Sequence, residues 1–217
     1  MNALRQAILD PRLAAHEDDR FRALLSPQAW ASLPPAVQRR FSVRLDGAQS
    51  AVYVGEVAST HVTFIGRLFA QLARLVGAPL PLASGGRAAS AVMVAEDEKI
   101  GGQLWTRIYA RDGQFPQVIH SAKRFDGPTG IEECVGLGVG MALTIHVESR
   151  ALVFRSAHYF VRIGARRLHL PHWLTPGQIE VVHREERDDR FSFTLTVTHR
   201  LFGELIRQIA FFRDTHP

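Results

Sequence analysis

The sequence contains a single cysteine, Cys134, and only two lysines among its 26 basic residues. One cysteine excludes an intramolecular disulfide and favours a reducing compartment. The other 24 basic residues are arginine, and acidic residues are interspersed with them along most of the chain. A nucleic-acid-binding protein more often concentrates its positive charge along one element, so no nucleic-acid partner is expected.

Long hydrophobic runs are also missing. The apolar stretch 134–147, which has no charged residue, is interrupted by three glycines and is too short for a membrane-spanning helix. The first residues lack the unbroken apolar core of a secretory signal. These absences predict a cytoplasmic protein with no membrane span. The 217 residues, 46% of them hydrophobic, are enough for one sizeable core.

Helical spacing of apolar residues is clearest over 61–76, where Thr60 is the expected N-cap and Gly77 begins the expected stop. The apolar arc is wide, so this long amphipathic helix is expected to pack against the concave side of a curved sheet. Shorter helical patterns precede it. We therefore predict an N-terminal helical segment, 1–45, packed on a single antiparallel β domain, 46–217.

Most of the remaining chain alternates as β-strands do. Segments 90–95 and 104–110 flank an acidic, glycine-containing loop and predict a hairpin. Residues 131–147 predict either one bent strand or two short ones. The alternate glycines of 136–140 are expected to leave a bare strip along one face, where another element approaches closely.

The clearest hairpin joins 179–185 to 191–198, where apolar and hydroxyl side chains alternate strictly. A two-residue turn would mix the two faces of the strands. A three-residue loop, 187–189, sets His183 opposite Phe193 and keeps one face apolar. This register therefore predicts that His183 faces the interior.

Together these patterns predict an α+β fold. Its centre is a strongly curved, mostly antiparallel sheet or barrel-like half-barrel, with one long amphipathic helix packed on it and short N-terminal helices. Such a sheet encloses apolar space, which is where ligands usually bind. The segment 201–212 fits both a helix and a strand.

The most distinctive stretch runs from Ser149 to Ile179, with five arginines and three histidines but no carboxylate. Residues 157–163 alternate as a strand, and 164–166 predict the turn that follows it. Arginine side chains bind carboxylates and phosphates bidentately, while aromatic side chains contact an apolar body. The predicted ligand-binding residues are His158, Phe160, Arg162, Arg166, Arg167, Trp173 and His183. In the alternative interpretation, these arginines pair with distant acids such as Glu185 or Glu186.

Motifs for catalysis or cofactor binding are weak. Met141 stands where a dinucleotide-binding fingerprint needs its third glycine, and no nucleophile elbow or triad signature is present. His169 and His172 have a metal-like spacing without a further ligand, so no metal, cofactor or catalytic residue is predicted. The adjacent Glu132 and Glu133 should point to opposite faces of a strand and both be solvated.

Several motifs are spread over nearly the whole chain, in the segments 19–25, 33–41, 66–79, 104–107, 168–176, 189–193 and 201–203. They resemble those of a bacterial domain-of-unknown-function family, DUF4166, whose members occur alone or fused to saccharopine-dehydrogenase-like reductase domains. The most specific part of the resemblance is the Pro-x-Trp-Leu-x-Pro motif of 171–176. The resemblance implies no activity and no catalytic residues. It favours a strand over 201–212 and makes a reductase a possible partner.

Three functions remain open from the sequence. The leading hypothesis is non-enzymatic binding of a hydrophobic or amphipathic small molecule with an anionic head, in a cavity between sheet and helix. The first alternative is an interaction domain that docks on a dehydrogenase or reductase. The second alternative is a hydrolase or cyclase that uses the same cavity, with His183 as the base.

Overall fold

Antiparallel strands dominate the described part of the chain. The computed structural model describes residues 16–45, 50–75, 80, 87–97, 99–164 and 166–214. The strands are β1 (His16–Glu17), β2 (Val43–Arg44), β3 (Ser50–Val62), β4 (Ala88–Asp97), β5 (Gly102–Arg111), β6 (Gln114–Arg124), β7 (Glu132–Gly136), β8 (Val139–Glu148), β9 (Ala151–Ile163), β10 (Arg166–His169), β11 (Gln178–Glu185), β12 (Arg190–His199) and β13 (Gly203–Asp214). The helices are α1 (Pro27–Ala31), α2 (Pro35–Phe41) and α3 (Phe64–Leu75), with the 3-10 helices η1 (Arg22–Leu24) and η2 (His172–Leu174).

The large sheet closes on itself. The strands from β3 to β9 pair antiparallel with their neighbours in chain order. β9 then pairs with β11, β11 with β12, β12 with β13, and β13 returns to β3. Ten strands therefore form a closed barrel, and β10 pairs with β9 outside this ring. The predicted antiparallel sheet is confirmed. The half-barrel is wrong, because β13 pairs with β3 over the whole of 206–214 and leaves no open edge between them.

The prediction of one long amphipathic helix is also wrong. Val62 belongs to β3, where it pairs with Ile206, and Thr60 lies in the same strand. α3 begins two residues after Val62, where the Gly66 N–H donates to Thr63 Oγ1 at 3.0 Å. Twelve residues make a helix of only about 18 Å. The predicted last residue and stop of the helix lie outside the described residues.

α3 lies across one end of the barrel and not along the concave side of the sheet. It packs on β13 through its small residues Gly66 and Ala70, which are both buried. A Cβ at Gly66 would lie 2.4 Å from the Leu205 carbonyl oxygen, so the helix approaches the strand as closely as only glycine permits. Ile65 and Phe69 also pack partly against the core, whereas the other large apolar residues of the helix are exposed.

The predicted hairpins are confirmed, and so is the register predicted for 179–185 and 191–198. β11 and β12 pair with Ile179 opposite Val197 and His183 opposite Phe193, as the three-residue loop requires. β4 pairs with β5 across the acidic loop, and β9 pairs with β10 across a turn whose Ala165 lies outside the described residues. The segment 201–212 lies largely in β13, so it is a strand, as the family resemblance favoured.

Residues 131–147 form two strands, β7 and β8, joined by a turn at Leu137 and Gly138. The expected strip of three glycines on one face is wrong, because Gly136 and Gly138 adopt positive φ angles of 150° and 78° at this turn. Gly140 lies in β8 beneath an aromatic ring. A Cβ there would lie 2.6 Å from Phe160 Cζ, so this glycine makes room for Phe160.

The N-terminal segment closes the other end of the barrel. α1 begins at Pro27 as predicted, and the Ala29 N–H donates to Ser26 Oγ at 3.2 Å. The segment contributes a group of buried apolar side chains to the core: Phe21, Trp30, Leu33, Val37 and Phe41. Residues 1–15 lie outside the described part, and the division at residue 45 stays a prediction.

Candidate ligand-binding cavity

The two ends of the barrel are built differently. At one end, which we call the rim, lie α3, the β9–β10 turn, η2 and the β12–β13 turn. At the opposite, closed end, Phe21 and Phe41 meet each other with ring centroids 5.0 Å apart and both contact Phe154. The Arg40 guanidinium joins the N-terminal segment to the last residues of β11 and β13, because it forms ion pairs with Glu185 at 2.6 Å and Asp214 at 3.1 Å.

A cavity of about 600 Å³ occupies the barrel between these ends. Its wall is mainly apolar and comes from strands all round the ring: Val92, Tyr109, Ile119, Met141, Val161, Ile179, Val181, Leu195 and Ala210. Towards the closed end it reaches Phe154, Phe193 and Phe212. At the rim it is lined by Leu72 and Leu75 of α3 and by Trp173 of η2.

Three charged side chains line this apolar space among the described residues: Arg107, Lys123 and Glu133. Lys123 of β6 stands opposite Glu133 of β7, and its Nζ lies 3.3 Å from Glu133 Oε2. Arg107 of β5 places Nη2 3.3 Å from Glu133 Oε1 and donates from Nη1 to Ser121 Oγ at 3.0 Å. One carboxylate is therefore held between two cations inside the barrel.

The electrostatics of this cluster follow from its burial. Burial lowers the pKa of Lys123 to about 8, helped by the charge of Arg107 and opposed by Glu133. Burial alone would raise the pKa of Glu133, but the charges of Lys123 and Arg107 outweigh it and lower that pKa to about 2. At neutral pH Lys123 is therefore mostly protonated and Glu133 is ionised. A guanidinium group keeps its positive charge in proteins. The cluster carries an excess of one positive charge.

Aromatic rings surround the lysine of this cluster. Lys123 Nζ lies 4.4 Å from the ring centroid of Trp105 and 5.6 Å from that of Phe154. Such contacts stabilise a partly desolvated ammonium group. The Trp105 indole N–H donates to Gln103 Oε1 at 3.2 Å, so the ring is held in place. The cluster is thus a fixed polar patch in an otherwise apolar wall.

Four of the predicted ligand-binding residues lie together, but on the outer face of the barrel: His158, Phe160, Arg162 and Arg167. The register between β8 and β9 shifts between Ala142 and Leu143, which reverses the side of the sheet that the following residues of β9 face. Tyr159 and Val161 consequently line the cavity, and their even-numbered neighbours point outward.

The two arginines of this outer cluster are paired with an acid. Arg162 Nη2 lies 3.2 Å from Glu132 Oε2, and Arg167 contacts the other oxygen of the same carboxylate. The Arg167 guanidinium also lies 4.3 Å from the ring centroid of Phe160. The alternative that the arginines pair with acids therefore describes these contacts, although Glu132 is the partner and not Glu185 or Glu186. Glu132 is completely buried beneath them.

The other three predicted residues lie in separate places. Arg166 is exposed on β10. Trp173 stands at the rim with 73% of its surface exposed. His183 lies near the closed end and has no exposed surface. Its ring contacts Phe41 and Phe193, with centroids 5.2 and 4.7 Å away, and it is not among the cavity-lining residues. Burial, and then the charge of Arg40, lower its pKa to about 3.

Sequence reasoning missed the interior cluster. Glu132 and Glu133 do face opposite sides of β7, as predicted, but the expectation that both are solvated is wrong, since both are buried. One feature of the sequence could have drawn attention to Lys123: it is one of only two lysines and lies in an alternating strand. Its pairing with Glu133 depends on the order of the strands, which one sequence does not contain.

No group of three or more histidine, cysteine, aspartate or glutamate side chains is close enough to hold a metal ion within the described residues. Among the helices of the described chain, none is long and apolar enough to cross a membrane. Searches of curated proteins and of solved structures each gave no match. A family model with the description "Domain of unknown function (DUF4166)" matches residues 33–212. The chain therefore belongs to this family.

Proposed function

We propose that the protein binds a hydrophobic small molecule with an anionic head, without catalysing a reaction, inside the barrel. One observation carries the proposal: an apolar cavity of about 600 Å³ contains the cluster of Arg107, Lys123 and Glu133, which has an excess positive charge. The volume lies within the range of roughly 300–1,000 Å³ that is usual for small-molecule pockets. An anion is the ligand group that this charge favours.

The cavity suggests how the molecule lies. Its anionic head accepts hydrogen bonds from Lys123 and Arg107, and its apolar body extends past Met141 and Val161 towards Trp173 at the rim. The volume corresponds to roughly 20 molecules of liquid water, at about 30 Å³ each, which points to a ligand with a similar number of non-hydrogen atoms. A long-chain carboxylic acid or a fused-ring acid has this size and polarity.

The test compares a long-chain fatty acid with the alcohol of the same chain length, by titration against a fluorescent fatty-acid probe. Lys123→Met removes the excess charge and is expected to weaken acid binding about tenfold or more, because hydrogen bonds to charged groups contribute roughly 1.5–3 kcal/mol. Glu133→Gln frees both cations from their carboxylate partner, but it also removes the charge that opposes the fall in the pKa of Lys123, so it is expected to change acid binding less than Lys123→Met does. Binding of the alcohol should respond little to either change.

The matched control is Lys99→Met, which removes the other lysine of the chain, an exposed one. It should bind acid and alcohol as the wild type does. Equal affinity of the wild type and Lys123→Met for the acid would contradict the proposed position of the head. Absence of binding of either compound, together with native mass spectra free of co-purified molecules, would contradict the function itself.

The two alternatives have no supporting contact among the described residues. A hydrolase with His183 as its base requires substrate to reach that ring, which has no exposed surface and does not line the cavity. The reductase partner rests on the family resemblance alone. A cytoplasmic location, and a binding role for the outer cluster around Arg162, likewise stay predictions.

A further inference from the structure

The face of α3 that points away from β13 is apolar. Gly66 and Ala70 pack on β13, so residues about half a turn away on the helix face away from that strand. These are Phe64, Leu68 and Leu75, which are 86%, 56% and 75% exposed. A helix that packs on a single partner normally buries its large apolar residues against it. Of the six large apolar residues of α3, only Ile65 and Phe69 pack against the core, each partly, and the other four are exposed.

This apolar face continues across the rim. Phe69 of α3 stacks on His199 with ring centroids 5.5 Å apart, and His199 stacks on Phe202 at 4.8 Å, which joins the helix to the β12–β13 turn. That turn exposes Leu201 and Phe202. Across the cavity mouth, η2 exposes Trp173 and Leu174. We call these apolar residues of α3, η2 and the β12–β13 turn the rim surface.

No acidic residue lies in the three segments that carry the rim surface, 62–75, 166–177 and 199–203. Asp112 stands in the β5–β6 turn at the same end of the barrel. Arg74 and Arg200 are exposed beside the apolar side chains. Glu204 follows the turn, but it is paired with Arg207, whose Nε donates to it at 2.9 Å. An apolar surface bordered by arginines is complementary to an anionic phospholipid bilayer.

We propose that the rim surface docks on an anionic phospholipid membrane and that the cavity exchanges its hydrophobic ligand there. This inference rests on the proposed function, because a hydrophobic cargo is drawn from a membrane. The rim surface and the mouth share Leu72, Leu75 and Trp173, so the docked protein presents the cavity opening to the acyl chains. A second copy of the chain fits less well. Two copies joined through this face would bring their arginines together.

The test is sedimentation of the full chain with phosphatidylcholine vesicles that contain or lack phosphatidylglycerol, at low and high salt. Wild-type protein should bind the anionic vesicles at least tenfold more tightly than the neutral ones, and salt should weaken this binding by screening. Trp173 supplies a second signal, because Trp30 and Trp105 are buried. Its emission should shift to shorter wavelength when anionic vesicles are added.

The double variant Phe64→Ser, Leu68→Ser is expected to lose at least nine-tenths of vesicle binding and the emission shift. Both side chains are exposed, so thermal unfolding should stay close to that of the wild type. The matched control is Val54→Ser, which changes a half-exposed apolar residue on the barrel wall and should bind vesicles normally. The variant Arg74→Gln, Arg200→Gln should lose the preference for anionic vesicles.

Three results would overturn the inference. They are equal binding to neutral and anionic vesicles, equal loss of binding in Val54→Ser, and a wild-type dimer that Phe64→Ser, Leu68→Ser converts to monomer. Fatty-acid titration without vesicles separates this failure from that of the proposed function. Fatty-acid binding without vesicle binding would contradict only the membrane inference. Vesicle binding without fatty-acid binding would contradict only the proposed ligand.

Discussion

The closed end and the rim of the barrel differ in how their apolar side chains are covered. At the closed end, phenylalanine rings from the N-terminal segment fill the interior, and the Arg40 guanidinium forms ion pairs with Glu185 and Asp214. At the rim, the interior is open, and large apolar residues such as Phe64 and Trp173 face outward. The closed end is therefore packed with side chains, whereas the rim leads into a cavity. A barrel that was packed throughout would have no space for a ligand.

The largest expected effect comes from emptying the closed end. Phe41→Ala removes a buried ring that contacts Phe21, Phe154 and His183, and it should lower the free energy of unfolding by about 3–5 kcal/mol. Leu75→Ala at the rim is the control and should cost less than about 0.5 kcal/mol. Urea unfolding of both variants measures the difference. Similar losses in the two would contradict the division of roles between the ends.

The next effect is a pH dependence that belongs to the closed end. The pKa of His183 is lowered from 6.5 to about 3, first by burial and then by Arg40, so the folded chain keeps this ring neutral while the unfolded chain protonates it. The unfolded state binds more protons between pH 6.5 and 3, and stability therefore falls as pH falls through this window. From pH 6.5 to pH 4 the expected loss is on the order of 3 kcal/mol.

His183→Phe should remove this part of the pH profile, because phenylalanine does not titrate. The control His172→Gln changes an exposed histidine at the rim and should leave the profile as it is. Urea unfolding at intervals from pH 7 to pH 4 measures both variants. A wild-type profile that stays flat below pH 6.5 would show that His183 is protonated in the folded state.

The smallest expected effect is a change in amide exchange of α3, at the rim. Gly66→Ala improves helix propensity by about 1 kcal/mol, but the new Cβ meets the Leu205 carbonyl, so α3 must move away from β13. Amide exchange over 64–75 should become faster while the free energy of unfolding changes by only about 1 kcal/mol. Gln71→Ala, on the exposed side of the helix, is the control. Unchanged exchange in Gly66→Ala would show that the helix does not need this close approach.

The sequence predicted those features that depend on residues close together in the chain. The register of β11 and β12 followed from side-chain alternation alone, and it correctly placed His183 inside. The N-cap at Ser26 followed from local chemistry. Both predictions needed only residues close in the chain.

Predictions failed where distant segments decide the outcome. The helix was placed too early because apolar spacing does not reveal that Val62 pairs with Ile206 in the sheet. The row of glycines was misplaced because Gly136 and Gly138 form a turn. The outer position of Phe160 depends on a register shift between β8 and β9 that alternation does not show. Barrel closure follows from pairing between β3 and β13, which are far apart in the chain.

β7 is the shortest strand of the closed ring, with five residues, yet it is fastened from both sides. Lys123 and Arg107 bind Glu133 within the barrel, while Arg162 and Arg167 bind Glu132 outside it. The two sets of ion pairs share no side chain. An acidic ligand that draws Lys123 away from Glu133 weakens only the inner set, and the outer set continues to hold β7 to β9 and β10. A ligand can therefore disturb the ion pairs of β7 inside the barrel while those on its outer face keep the strand in place.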